Sequence, residues 1–327
     1  MLTDLPLHRL REYQAEVQAP GDLEGFWSAT LAEARGHAGL LRCERVETGL
    51  ATLETYDVTF GGFAGSPVRA WLALPAGTGP DTRLPVVVEY VGYGGGRGRP
   101  HDHLLYASAG YAHLVMDTRG QGSAWSPGHT PDADTAGAPR HPGFLTDGIE
   151  APDTYYYRRV FTDAVRAVDV LAELPGVDPT RVAVLGNSQG GGIALAAAGL
   201  AQGVRAVLPA VPFLCDIRRG SQVAGRGPYL ELASYLAVHP ERVGQTFAVL
   251  AYFDAAVLAS RCTAPALFSV ALMDAVCPPS TVFAAYNAYA GPKKIDVWEY
   301  NDHDGAASAH IPHRLRMLAE HLQDRAS

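Results

Sequence analysis

The sequence predicts a doubly wound α/β fold, a mostly parallel sheet with helices on both faces, and three observations lead there. Six short apolar runs are nearly continuous, at residues 86–91, 112–116, 182–185, 204–210, 266–272 and 295–300. Continuous apolarity marks strands buried on both faces, which is the habit of parallel sheets. Helical-period stretches lie between these runs, at 160–174, 189–200, 281–290 and 309–323. Finally, one run passes directly into helix through Gly186-Asn187-Ser188-Gln189-Gly190, a G-x-S-x-G turn.

Taken in order, residues 1–45 read as a helical arm, with helical periodicity through 7–17 and again through 26–34. Residues 53–60 and 68–74 alternate and are rich in β-branched and aromatic side chains. The Gly61-Gly62 and Gly65-Ser66-Pro67 turn signals between them predict an antiparallel pair. After the parallel strands begin, residues 121–159 form a long loop rich in Gly, Pro, Asp and Thr, of the sort that is usually functional or disordered. Residues 212–263 interrupt the alternation again, with helical pattern at 229–236 and 247–258, and are expected to cap the carboxyl edge of the sheet. No repeat or linker divides the chain, so residues 1–327 are expected to form one domain.

Composition narrows the function classes. The 327 residues carry 26 basic and 34 acidic side chains, a net charge of −8, and 47% of them are hydrophobic. Lys293 and Lys294 are the only lysines, and the arginines are scattered, so no basic stripe is available to follow a nucleic-acid backbone. The longest apolar segments fall well short of the roughly 20 residues that span a bilayer. The opening residues include Asp4, Arg9, Arg11 and Glu12 rather than the apolar stretch of a secretory signal, so a cytoplasmic protein is expected. Cys43, Cys215, Cys262 and Cys277 form no C-x-x-C pair and read as reduced thiols. His101-x-His103 has no matching Cys/His cluster, and neither a metal nor any other cofactor is expected.

The chemistry centres on the G-x-S-x-G turn, the nucleophile elbow of the α/β-hydrolase fold. Glycines at 186 and 190 allow the close approach of strand and helix, and the turn lifts the Ser188 hydroxyl into solvent at a helix amino terminus. There the Gln189 N–H can stabilise developing negative charge. In this fold an acid and then a histidine follow the serine at the ends of later strands. The run 266–272 ends in Met273-Asp274, and the run 295–300 in Asn301-Asp302-His303-Asp304. His303 is thus the expected general base and Asp274 its orienting acid. Asp302 and Asp304 are too close in sequence to reach the far ring nitrogen. Asp254 reads as a helix-surface or capping residue, His113 as a core histidine, and His310 and His313 as solvent-facing or packed. A second oxyanion donor is expected from the loop after the 86–91 strand, Gly92-Tyr93-Gly94-Gly95-Gly96-Arg97-Gly98, with Tyr93 N–H as the donor. That loop fails G-x-G-x-x-G, and no Walker lysine follows it.

Several phrases together resemble the acetyl xylan esterase and cephalosporin C deacetylase group, carbohydrate esterase family seven. They are Val91 to Gly98, Asp117-Thr118-Arg119-Gly120-Gln121-Gly122, Thr154 to Arg159, Ser188-Gln189-Gly190-Gly191-Gly192, and Asp274 with Cys277-Pro278-Pro279-Ser280-Thr281. The resemblance implies a metal-free serine esterase that deacetylates small esters, with Ser188, Asp274 and His303 as triad and the amides of Tyr93 and Gln189 as oxyanion hole. It implies that Arg119 and Gln121 brace loops and that Phe213, Pro228 and Val276 line the substrate pocket. It also implies a homohexamer whose sites face an internal cavity, with the 121–159 loop at subunit contacts. Two departures stand out: Asp304 follows the histidine where the family usually has glutamate, and Asn187 precedes the serine where glycine or alanine is frequent. Competing readings are a general short-chain carboxylesterase or acyltransferase, and a non-catalytic binding protein on the same fold. An intact serine, acid and histidine set argues against the latter.

Overall fold

The computed structural model describes residues 4–79, 81–132 and 139–323. Nine strands form one sheet: β1 (Leu40–Val46), β2 (Leu53–Gly61), β3 (Pro67–Pro75), β4 (Leu84–Tyr90), β5 (Ala112–Met116), β6 (Val177–Asn187), β7 (Val204–Ala210), β8 (Ala266–Ala271) and β9 (Lys293–Trp298). Their order is β1-β2-β3-β5-β4-β6-β7-β8-β9. The pairs from β1 through β3 to β5 are antiparallel, and every pair from β5 through β4 to β9 is parallel. This is the α/β-hydrolase fold.

Eleven α-helices surround the sheet among the described residues: α1 (Leu7–Leu10), α2 (Leu23–Arg35), α3 (Leu105–Ser108), α4 (Tyr156–Asp169), α5 (Gln189–Leu200), α6 (Ile217–Val223), α7 (Tyr229–Val238), α8 (Val243–Leu250), α9 (Ala255–Ala259), α10 (Pro279–Ala288) and α11 (Ala307–Leu322). Strand alternation divides the core between two faces. On β4, Val86 and Val88 pack with α2, α4, α5, α9 and α10, whereas Val87 packs with Tyr106, Met317, Leu318 and Leu322 of α3 and α11. None of the helices in the described residues is long and apolar enough to cross a membrane.

Two expectations need correction. The 1–45 segment is not wholly helical: the expected helix at 7–17 ends at Leu10, residues 11–22 have no helix, and residues 40–46 form the edge strand β1. With one neighbour and both faces largely open to solvent, this strand lacks the apolar alternation that would reveal it. The 247–258 stretch is not one helix: it breaks at Asp254, whose carboxylate caps α9 by accepting from Ala256 N. Asp254 is buried rather than on a surface, since the same carboxylate also accepts from the backbone N–H groups of Asp216 and Ile217. Within the 212–263 insertion α9 lies along α5 in the sheet-covering layer, where the Cys262 thiol donates to Leu195 O of α5. Residues 226–231 reach over the carboxyl edge of the sheet, where Arg226 meets Asp302, Pro228 lines the cavity with Ser188, and Glu231 meets Tyr93. Of the 121–159 loop, residues 133–138 lie outside the described residues.

Candidate active site

Ser188 sits between β6 and α5 with φ 56° and ψ −122°, a conformation that a side chain adopts only under constraint. The constraints are visible. A Cβ on Gly186 would lie 2.3 Å from the Gly190 carbonyl carbon, and one on Gly190 would lie 2.0 Å from Tyr90 O. Only glycine lets β4, β6 and α5 approach this closely. The serine backbone is pinned on its other side by Ser188 N donating to Ala210 O at 2.9 Å and Phe213 N donating to Ser188 O at 2.9 Å. The segment that supplies these contacts is itself twisted, with positive φ at Val211, Leu214 and Asp216.

The structure brings together the three side chains expected from sequence. His303 Nε2 lies 2.9 Å from Ser188 Oγ, and His303 Nδ1 lies 2.8 Å from Asp274 Oδ2. Asp274 is fully buried, and its other oxygen accepts from Val276 N at 2.7 Å and Cys277 N at 2.9 Å. Both carboxylate oxygens are thereby committed, so the plane of the carboxylate and the ring it faces are fixed. The flanking acids are engaged elsewhere. Asp302 accepts from His303 N and from Arg226, while Asp304 takes the side-chain amide of Asn301. That amide is the contact made by the shorter side chain at position 304. Asn187, the other departure, accepts from Arg314 of α11 at 2.5 Å. Three other histidines stay apart from the serine: His113 is buried on β5 beside Glu89, His310 accepts from Arg314, and His313 pairs with Asp296.

Two backbone N–H groups flank the serine. Gln189 opens α5, where the first N–H groups have no partner within the helix. The Tyr93 N–H has no acceptor among the described residues. A buried hydrogen-bond network holds both in position. Gln121 Oε1 accepts from Gly94 N at 2.7 Å, and its amide donates to Gln189 Oε1 and to the Tyr156 hydroxyl. The Tyr157 hydroxyl also donates to Gln189 Oε1. Beneath them Arg119 makes a two-pronged contact with Asp163 and reaches Asp132, all buried. Arg119 and Gln121 thus brace the loops.

A cavity of about 380 Å³ opens over Ser188 and His303. Pro228 and Val276 line it. Phe213 does not, and this is a correction: it is fully buried and stacks edge-on against Tyr93 and Tyr229, backing the wall rather than forming it. Sequence reasoning missed Glu231, which lies 138 positions from Tyr93 yet accepts its hydroxyl proton at 2.6 Å. The Tyr93 hydroxyl in turn accepts from Phe144 N at 2.8 Å. Burial, reinforced by Glu231, pushes the Tyr93 phenol far above its ordinary range, and burial also raises the Glu231 carboxyl. Trp125, Glu89 and His103 on the cavity wall were missed as well.

Comparison with known proteins agrees across sequence and structure. The family model for acetyl xylan esterase (AXE1) matches residues 1–321. The acetyl esterase Axe7A of Xylanibacter ruminicola is 30% identical over 287 residues, which is 87% of this chain and 63% of that protein. The chain therefore spans a little under two thirds of this curated relative. Among solved structures, an acetyl xylan esterase from Paenibacillus sp. R4 is 38% identical with a TM-score of 0.89, covering 97% of this chain and all of that one. Acetyl xylan esterase 1 from Thermoanaerobacterium sp. JW/SL YS485 is 31% identical with a TM-score of 0.85, covering 96% of this chain and 99% of the other.

Proposed function

Since the chain belongs to the acetyl xylan esterase family of carboxylic ester hydrolases, we propose that it removes acetyl groups from small acetylated substrates through an acetyl-Ser188 intermediate. Acetylated xylo-oligosaccharides are the first candidates, with cephalosporin C-like acetates as a second class. The observation that carries the reading is the unbroken chain from Ser188 Oγ through His303 to the buried Asp274, with contacts of 2.9 and 2.8 Å.

In the proposed mechanism Ser188 Oγ attacks the acetyl carbonyl carbon while His303 Nε2 takes its proton. Asp274 stabilises the imidazolium and holds the tautomer that leaves Nε2 free to accept. The carbonyl oxygen becomes an oxyanion between the N–H groups of Tyr93 and Gln189, in a site where such donors are worth more than in water. As the tetrahedral intermediate collapses, the C–O bond to the alcohol breaks and His303 returns the proton to the leaving oxygen. Water, deprotonated by the same nitrogen, then attacks the acetyl-enzyme, and as this second tetrahedral intermediate collapses His303 returns the proton to Ser188 Oγ, releasing acetate and free Ser188.

Pro228 and Val276 give the cavity an apolar side suited to a short acyl group. A homohexameric assembly and a cytoplasmic location belong to the same reading. The test is acetate release from acetylated xylo-oligosaccharides beside hydrolysis of p-nitrophenyl acetate and butyrate, wild type against Ser188→Ala. Acetyl preference with sugar deacetylation lost in the variant is the expected result. Hydrolysis of the nitrophenyl esters without sugar deacetylation would favour a general carboxylesterase, and turnover surviving in the variant would overturn the serine mechanism.

A further inference from the structure

One wall of the catalytic cavity carries a charged group that the hydrolytic steps do not use. Glu89 lies on β4, paired with Leu185 of β6 and therefore close to the elbow. By alternation it faces the same side as Val87, a position surrounded by Ala183, Leu185 and Leu208. A carboxylate placed there is costly unless it is paired. The pairing uses one oxygen: Glu89 Oε2 accepts from His113 Nε2 at 2.9 Å and lies 3.7 Å from His103 Nδ1. Among the described residues, Oε1 receives no hydrogen bond, although Glu89 and His103 line the same cavity as Ser188 and His303.

We propose that Glu89, held by His113 and His103, accepts hydrogen bonds from hydroxyl groups on the alcohol part of the ester and so determines specificity on the leaving-group side. This inference rests on the esterase reading above and extends it to one face of the substrate. Burial alone would raise the Glu89 carboxyl, but the hydrogen bond from His113 and the ion pair with His103 outweigh it and hold the group well below its usual range. It is accordingly an ionised acceptor throughout the neutral range, suited to hydroxyl donors and repellent to anionic alcohols. The adjoining wall fits the same kind of ligand. The Trp125 indole packs over Gly95, donates to Tyr93 O at 2.8 Å, and is 64% exposed. Its free face offers an apolar platform beside a polar acceptor, the pairing that suits the two faces of a pyranose ring.

The experiment measures kcat/KM on acetylated xylobiose, acetylcholine and p-nitrophenyl acetate for wild type, Glu89→Gln and Glu89→Asp, after thermal melting has established that each is folded. Glu89→Gln removes the charge, and Glu89→Asp keeps it but draws it back by one methylene. The readout is the ratio of the sugar ester to the nitrophenyl ester. Loss of a hydrogen bond to a charged acceptor is expected to lower that ratio about tenfold or more in both variants, chiefly through KM. Equal losses on the two esters would mean that Glu89 serves structure alone and would overturn the proposal, as would an unchanged ratio. A larger loss on acetylcholine than on the sugar ester would overturn hydroxyl recognition in favour of an ammonium. A wild type inert toward the sugar ester would sink the substrate reading and this subsite together. A wild type active on it, with variants that keep its ratio, would sink the subsite alone.

Discussion

Replacing Asp274 by asparagine isolates the part of the site that sets the histidine tautomer. The aspartate oxygens divide their work: Oδ1 accepts from Val276 N and Cys277 N at 2.7 and 2.9 Å, and Oδ2 faces His303 Nδ1 at 2.8 Å. An asparagine can keep only one of these roles. If its amide nitrogen pointed at the two backbone donors, donor would face donor in a fully buried place, at a cost of about 1–3 kcal/mol for each group left unsatisfied. The favoured orientation keeps the oxygen on the backbone and turns the NH2 toward His303. There it donates to Nδ1 and drives the proton to Nε2, which then donates to Ser188 instead of accepting from it. The fold is retained while general-base catalysis is lost. The fall in kcat expected from this kind of tautomer error is on the order of 10⁴. Stopped-flow and steady-state hydrolysis of p-nitrophenyl acetate would measure it, and a thermal melt would verify folding. A folded Asp274→Asn enzyme that kept more than about a tenth of wild-type kcat would refute the assignment of Asp274 as the orienting group, since a tautomer error removes several decades.

Other consequences follow from the same contacts. Gly190→Ala places a methyl 2.0 Å from Tyr90 O, a backbone atom that cannot swing away. Displacing the elbow by about 1 Å is expected to lower kcat roughly 10²-fold, read on p-nitrophenyl acetate with the melting temperature as companion. Tyr93→Phe leaves Phe144 N without its acceptor and Glu231 with the Leu145 N–H but without the phenol, so a stability loss of about 1–3 kcal/mol is expected by denaturant titration, together with reduced kcat. Arg119→Lys keeps a charge but loses the two-pronged contact with Asp163; a destabilisation of about 3 kcal/mol or more is expected, measured in the same way. The Glu89 and His103 pair gives a pH signature. Burial opposes the charge on His103, but Glu89 overrides it and raises the imidazole above its ordinary 6.5, while Glu89 is held below its ordinary 4.5. The pair therefore stabilises the fold fully between about pH 4.5 and 6.5 and loses the His103 share as pH rises through the raised value. The melting-temperature difference between wild type and Glu89→Gln should accordingly be larger at pH 6 than at pH 9.

Much of this arrangement was legible because strong local patterns coincide with tertiary roles. β7 and α5 fall at the expected residues, and the elbow shows its Gly186 and Gly190 because steric exclusion leaves no other residue type possible. Asp274 and His303 were found through strand order, which the apolar runs reveal. What escaped depends on contacts between distant parts of the chain. Edge strand β1 buries too little to leave a pattern, and the break at Asp254 lies inside a stretch whose apolar period continues across it. Glu231 meets Tyr93 only because residues 226–231 fold back over the sheet edge. Glu89 sits in a run that reads as apolar, and its two histidine partners come from the segment before α3 and from β5. Phe213 illustrates the converse: its neighbours place it near the pocket, but only the packing against Tyr93 and Tyr229 shows that it stands behind the wall.

The central claim is a covalent acetyl group on one serine, and mass spectrometry of acid-quenched enzyme tests it most directly. Wild-type protein mixed with excess p-nitrophenyl acetate, quenched within the first turnovers and digested with trypsin, should carry one acetyl group on the peptide Val182–Arg205, and fragmentation should place it on Ser188. Ser188→Ala should show none. An unmodified peptide in an enzyme that is turning over, or an acetyl group found on another residue at the same rate, would contradict the account.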